Sequence, residues 1–208
     1  MKYSAIIPTM WKSRRIEILL RKLERSSFVN EIILIDNDPS ARNVIIGEFE
    51  KIKYFPQEEN IFVNPAWNLG VSESVFSNAI AILNDDITFD VDKIFKFISP
   101  HLDRVGLIGI DPKCYKLFKD SEKLQLFGIN RMPGGGFGSA MFMKKDRYKE
   151  IPNDLKIWYG DNWLFAHQKK QNLVISGIHI ATEMSSTVRT ANKALIRQDA
   201  INYQKYHK

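Results

Sequence analysis

The sequence predicts an α/β fold, a mostly parallel sheet with helices on both of its faces. Strand-length runs that are apolar throughout (YSAIIP, EIILID, AIAIL) alternate with stretches of helical periodicity, and strands apolar on both sides need cover on both faces. Polar residues gather where those runs stop: Thr9, Asp36, Asn37, Asp38, Asn84, Asp85 and Asp86. In parallel sheets that edge, the carboxyl ends of the strands, is where ligands bind.

Element by element, YSAIIP is a buried strand bounded by Pro8. Ile16, Leu19, Leu20 and Leu23 then recur at i, i+3, i+4 and i+7, which gives a helix one apolar stripe. EIILID is a second strand ending at Asp36, and KIKYFP a weaker third. NPAWNLGVSESVF follows as a helix, with Asn64 as its N-cap and Pro65 at its first position. AIAIL is a fourth strand and runs into LNDDI. The second half is less regular. VGLIGI reads as a strand, MPGGGFGSAMFMKK as a glycine loop entering another, DNWLFAHQKKQ as a helix, LVISGIHIA as a strand, and TANKALIRQDAINYQKYHK as a C-terminal helix.

With 208 residues the chain suits one domain. Hydrophobic residues at 44% against 26% charged place it among globular rather than disordered proteins. Cys114 is the only cysteine, which excludes an intrachain disulfide and a cysteine-built zinc site. The apolar stretch in MKYSAIIPTMW is too short for a signal peptide, and no window approaches the roughly 20 apolar residues of a membrane span. A cytoplasmic protein without a transmembrane segment is expected. The net charge of +6 favours anionic partners such as nucleotides, nucleic acid or acidic lipid head groups.

Asp85 and Asp86 repel each other unless something shares their charge. A hard divalent cation does so, since magnesium or manganese needs only one or two carboxylates beside a substrate's phosphates. A solvated turn, with one Asp capping the next helix, accounts for the same residues.

Five separate landmarks, in order along most of the chain, resemble the GT-A-fold (Rossmann-like) glycosyltransferases, particularly the inverting family 2 type. SAIIPTMW is similar to the opening strand, where Pro8 and Thr9 would flank the nucleotide base. IILIDNDPS resembles the second strand, with Asp36 and Asn37 on the donor. NPAWNLG resembles the family's Asn-x-x-x-Asn-x-Gly helix, here Asn64, Asn68 and Gly70. LNDDI stands where the family carries its Asp-x-Asp metal motif. Asn84 replaces its first Asp, leaving the metal mainly to Asp86, with Asp85 on the ribose or the metal's water shell. WYGDN resembles the element that supplies the catalytic base, and within it only Asp161 can serve.

The resemblance implies an inverting, metal-dependent glycosyltransferase. It would move a sugar from a nucleoside diphosphate sugar, a UDP-sugar first among them, to an acceptor hydroxyl, with Mn2+ or Mg2+ as cofactor. Residues 1–208 would form a single domain: a nucleotide-binding half over 1–90, an acceptor and catalytic half over 91–188, and a basic C-terminal helix over 189–208. A further metal ligand is expected after the base, with His179 favoured over Glu183.

Each position also has a plainer reading. Asp161 opens DNWLFAHQKK and could simply cap that helix, which would lower its pKa, whereas Trp158, Tyr159 and Trp163 around it would raise it. Trp158 and Trp163 are candidates for stacking on an acceptor sugar. PGGGFGSAM fits neither the Walker pattern nor Gly-x-Gly-x-x-Gly, because Ser139 holds the last position. It is either a tight turn or, as the resemblance implies, a donor-side loop with Gly135 and Gly136 near the sugar. His101 and His167 read as surface residues, Trp11 and Trp67 as core or cleft walls, and Lys144, Lys145 and Arg147 as a solvated face.

Arg189, Lys193 and Arg197 recur every four residues along the terminal helix. They form a solvated face or an acceptor-binding surface that tracks phosphates, for nucleic acid or a lipid-linked glycan. Two other functions fit less of the sequence. A nucleotidyltransferase would carry a glycine-rich loop where this chain has PTMWKSRR, and a non-enzymatic nucleic-acid-binding module would leave the carboxylates structural.

Overall fold

The computed structural model describes residues 1–183 and 193–206. An eight-stranded sheet has the order β3-β2-β1-β4-β8-β6-β9-β7. Its strands are β1 (Tyr3–Thr9), β2 (Val29–Asp36), β3 (Ile52–Pro56), β4 (Ala79–Leu83), β6 (Ile108–Ile110), β7 (Gln125–Ile129), β8 (Ala140–Lys144) and β9 (Asn172–Ser176). The first four and the β6/β9 pair run parallel, while β8 and β7 are reversed. The fold is therefore the mostly parallel α/β architecture expected. A separate two-stranded ribbon pairs β5 (Ile87–Thr88) with β10 (Ala181–Thr182).

Alternation along the strands sends side chains to two cores. Ala5, Ile7, Ile32, Leu34, Ala81 and Leu83 face α1 (Arg15–Arg25) and α3 (Val91–Ile98), whose buried stripes are Ile16, Leu19, Leu20, Leu23 and Val91, Ile94, Phe95, Ile98. Ile6, Ile33, Ile35, Ile80 and Ile82 face α2 (Val63–Glu73) and α4 (Gly160–Ala166) through Ala66, Trp67, Val71, Trp163 and Leu164. Gly70 brings α2 hard against the sheet: a Cβ there would lie 2.3 Å from Ile6 Cγ2. Cys114 is buried beneath this sheet, its thiol directed at the Ile175 carbonyl and pushed up in pKa chiefly by burial.

Several local expectations are corrected. α2 starts at Val63 with Phe62 as its cap residue in the left-handed region (φ 69°), so Asn64 lies inside the helix and does not cap it. LVISGIHIA is broken at Gly177, whose φ of 87° ends β9 and releases the chain to form β10. The helix predicted over DNWLFAHQKKQ ends at Ala166. Lys144, Lys145 and Arg147 are not a free solvated face. Arg147 reaches the carbonyls of Leu102, Asp103 and Val105, Lys145 reaches that of Ser74, and Lys144 pairs with Asp103 at 3.4 Å. α5 (Lys193–Lys205) closes the described chain. Among the described residues no helix is long and apolar enough to cross a membrane.

Candidate active site

A cavity of about 360 Å³ opens at the carboxyl ends of the central strands. Pro8 enters it from β1, and Asn84, Asp85 and Asp86 from the turn after β4. Gly134, Gly135, Gly136 and Gly138 enter it from the loop before β8. Val63 and Trp67 of α2 and the segment carrying Ile157, Trp158, Tyr159 and Asp161 complete the wall. Residues distant in sequence meet here because β4 and β8 are neighbours: Asn84 N donates to Ser139 O at 2.8 Å, which joins the acidic turn to the glycine loop.

The acidic turn is anchored to β1. Thr9 Oγ1 donates to Asp85 Oδ2 at 2.7 Å and accepts from Trp11 N at 2.9 Å. Burial, opposed by the Thr9 bond and reinforced by the charge of Asp86, pushes the Asp85 carboxyl up to about 6. Asp36 and Asn37 lie on the same edge but outside the cavity wall. Asp36 is wholly buried and accepts from Trp11 Nε1 (2.7 Å), Tyr54 Oη (2.6 Å) and Asp38 N (3.0 Å). Asn37 Oδ1 accepts from Ile61 N at 3.2 Å. Both brace the cavity from behind, and Trp11, read as core or cleft wall, is part of that brace.

Asp86 is also raised, by burial first and then by the charge of Glu183, with Arg15 opposing. Its Oδ1 is buried with no hydrogen-bond partner among the described residues. The β5/β10 ribbon explains Glu183: Thr182 pairs with Ile87, so Glu183 N donates to Asp86 O at 3.1 Å. Glu183 continues to Ser13 Oγ, which donates to it at 2.8 Å, and to Arg15 at 3.6 Å. His179 is placed elsewhere. It precedes the ribbon, and its amide donates to Asp120 Oδ1 at 2.7 Å, beside the Lys93–Asp120 pair. Beyond the end of β9 at Gly177, the ribbon thus brings the main chain of Glu183 to that of Asp86, while His179, favoured as the metal ligand, lies beside Asp120.

This donor set suits a hard cation. An orphaned carboxylate oxygen and two neighbouring acids whose pKa burial raises are what a cation would relieve. No three His, Cys, Asp or Glu side chains among the described residues cluster closely enough to coordinate a metal alone. Asp86 and Asp85 would hold it together with oxygens of a ligand, as magnesium sites commonly do.

Across the cavity, Asp161 is raised by burial, against the hydrogen bond its Oδ1 accepts from Asn162 N at 2.9 Å. It is not the N-cap of α4. Tyr159 holds that position in the left-handed region (φ 66°), and Asp161 lies in the first turn. Gly138 leaves room for it: a Cβ there would meet Asp161 Oδ2 at 2.6 Å. Gly134, Gly135 and Gly136 all have positive φ, which L side chains resist, so the loop does make a tight turn while lining the cavity. Tyr115 Oη, missed in the sequence, donates to Gly136 O at 2.7 Å and fixes that loop.

Other predicted contacts serve the protein itself. Asn64 Nδ2 donates to the carbonyls of Leu155 and Trp158, and its Oδ1 presses on Gly160, where a Cβ would come within 2.1 Å. Asn68 donates to Ile151 O and accepts from Tyr148 Oη and Ile151 N. The two asparagines staple α2 to the segment ahead of Asp161 and do not line the cavity. Trp163 is 7% exposed, donates to Glu150 O and packs on His167 and Tyr206, which removes it from the acceptor surface. Trp158 does line the cavity. Lys193 and Arg197 are exposed on α5, and Arg189 lies outside the described residues.

No family model matches the chain, and no curated protein matches it by sequence. Solved structures do. TarS 1-349 of S. aureus superposes with a TM-score of 0.64 at 15% identity, covering 88% of this chain and 60% of that one. The same fragment in complex with UDP-GlcNAc matches at 0.64 and 14% identity, over 97% and 66%. The chain has the GT-A fold. GalNAc-T7, solved with UDP, GalNAc and Mn2+, matches that fold at 0.63 and 12% identity, over 88% of this chain and 44% of its own. This GT-A chain therefore spans less than two thirds of the structures it resembles.

Proposed function

We propose that the chain is an inverting, metal-dependent glycosyltransferase. It takes a sugar from a nucleoside diphosphate sugar, a UDP-sugar first, and transfers it to an acceptor hydroxyl. One observation carries the reading: Asp85, Asp86 and Asp161 share a single cavity at the carboxyl edge of a GT-A sheet. The ligands named for the structural neighbours, UDP-GlcNAc in one and UDP with Mn2+ in another, support the donor class and the cation.

In this reading residues 1–90 carry the donor, 91–188 the acceptor and base, and the C-terminal helix a basic flank. Pro8, Asn84, Asp85, Gly135 and Gly136 contact the donor, while Thr9, Asp36 and Asn37 support them. Asp86 and Asp85 would hold Mn2+ or Mg2+, which would supply positive charge to offset that of the diphosphate. Asp161 accepts the acceptor's hydroxyl proton as the acceptor oxygen bonds to the anomeric carbon, and the diphosphate leaves with the electron pair of the bond it loses. Burial suits Asp161 to that task by lifting its basicity above an ordinary carboxylate's. Direct displacement inverts the anomeric centre. Trp158 offers a ring at the acceptor side, and exposed Lys193 and Arg197 suit an anionic acceptor, whether nucleic acid or a lipid-linked glycan.

The test is thermal unfolding with UDP and Mn2+, together and apart, followed by diphosphate release from a panel of nucleotide sugars. Stabilisation that needs both ligands and disappears in Asp86→Ala is expected. Asp161→Asn should keep that stabilisation and lose about 10²–10⁴ in turnover. Absence of any nucleotide-dependent shift overturns the reading.

A further inference from the structure

The only acidic residue of α5 is Asp199, and it is wholly buried. Its Oδ1 accepts from Lys156 N at 3.0 Å, and its Oδ2 from Ile157 N and Trp158 N at 2.9 Å each. Three successive amides pointing at one carboxylate form a backbone nest, an anion-binding concavity filled here by a side chain from the far end of the chain. No ion pair to Asp199 is found among the described residues, where its side-chain hydrogen bonds come from these three amides.

The nest is immediately followed by Tyr159, in the left-handed conformation, and by Asp161. Further contacts from the same helix face grip the same segment. Asn202 Nδ2 donates to Asp154 O at 2.6 Å, Tyr206 Oη to Asp154 Oδ1 at 2.7 Å, and the Tyr203 ring stacks on Tyr159 at 4.7 Å. Positions 199, 202, 203 and 206 fall on one helix face. The charge of Asp161 helps to raise Tyr203, so this face reaches the neighbourhood of the proposed base.

The geometry points to Asp199 as the positioning residue of the transfer reaction, an inference that rests on the proposed glycosyltransferase function. Asp199 fixes the 156–158 turn, and through it the placement of Trp158 and Asp161 in the cavity. It touches no donor-side residue. Its loss should act on turnover and leave nucleotide binding intact, since a misplacement of about 1 Å can cost about 10² in rate.

The experiment measures hydrolysis of a UDP-sugar, with water as acceptor, and the UDP–Mn2+ thermal shift in wild type, Asp199→Asn and Asp199→Ala. Both variants should lose tenfold or more in kcat, roughly the scale of such misplacements, with donor KM and the thermal shift unchanged. Sodium formate, which can enter the nest emptied in Asp199→Ala, should restore part of kcat. Should Asp199→Ala fail to fold, Asp199→Asn carries the kcat-against-KM comparison, and hydrogen exchange at the 156–158 amides should rise in it while β1 and β4 stay protected. Wild-type hydrolysis in the variants overturns the positioning role alone. So does loss of kcat together with the UDP–Mn2+ shift and without formate rescue, which would mark a merely structural carboxylate. Absence of any UDP–Mn2+ shift in wild type overturns the glycosyltransferase reading and this role with it.

Discussion

Thr9 donates to Asp85 across 2.7 Å, tying the end of β1 to the turn beyond β4. Thr9→Val keeps the shape and removes the donor. The ionised Asp85 then loses a partner in a buried setting, at a cost of about 1–3 kcal/mol. Urea unfolding at pH 7 should show that loss, and at pH 5, where Asp85 is largely protonated, the difference should shrink.

Asp85 itself should leave a signature in the pH dependence of the metal-free protein. Its folded pKa, about 6, lies above the ordinary 3.8. Below 3.8 both states are protonated and the favourable contribution is complete. Between 3.8 and 6 the unfolded chain ionises first, so stability falls as pH rises, and above 6 the contribution is gone. Asp85→Asn, which cannot ionise, should therefore flatten the decline in Tm between pH 4 and 6. A wild-type profile in the variant would remove Asp85 as its source.

Gly138→Ala probes the base without touching it. The new methyl would lie 2.6 Å from Asp161 Oδ2 and 2.8 Å from its Cβ, so the carboxylate has to move. UDP-sugar hydrolysis should fall about tenfold or more, while the UDP–Mn2+ thermal shift remains, because Asp85 and Asp86 are untouched.

The outward side of α5 gives a separate test. Lys193→Glu with Arg197→Glu should weaken binding of a fluorescent DNA duplex at low salt and leave the UDP–Mn2+ shift as it was. Equal DNA binding would reduce these cations to solubilising charges.

The parallel half of the sheet was readable because its strands are unbroken apolar runs and α1 carries a single stripe at helical spacing. β7 was not, since QLFGI is a half-exposed edge strand without alternation; VGLIGI was read as a strand, of which Ile108–Ile110 forms β6. At the site, Asp85 and Asp86 stand out as adjacent acids at a strand end, whereas Asp161 is singled out by the resemblance of WYGDN to the family's base element. What each of them meets is set by register and backbone. The left-handed Gly177 ends β9, and the chain beyond it brings the Glu183 backbone, not His179, to the Asp86 turn. Asn64 looks like a cap until the positive φ of Phe62 starts the helix two residues earlier. Asp199 was invisible for a simpler reason: its partners are main-chain amides, which no side-chain pattern records.

Cys114, sealed under the sheet with a weakly acidic thiol, gives the protein an unusual convenience. Maleimide dyes and spin labels will pass it by, so any cysteine introduced on the exterior becomes the sole reactive handle. A pair placed at Arg197 and Ser72 would report, molecule by molecule, whether the terminal helix keeps its distance from α2 as nucleotide arrives.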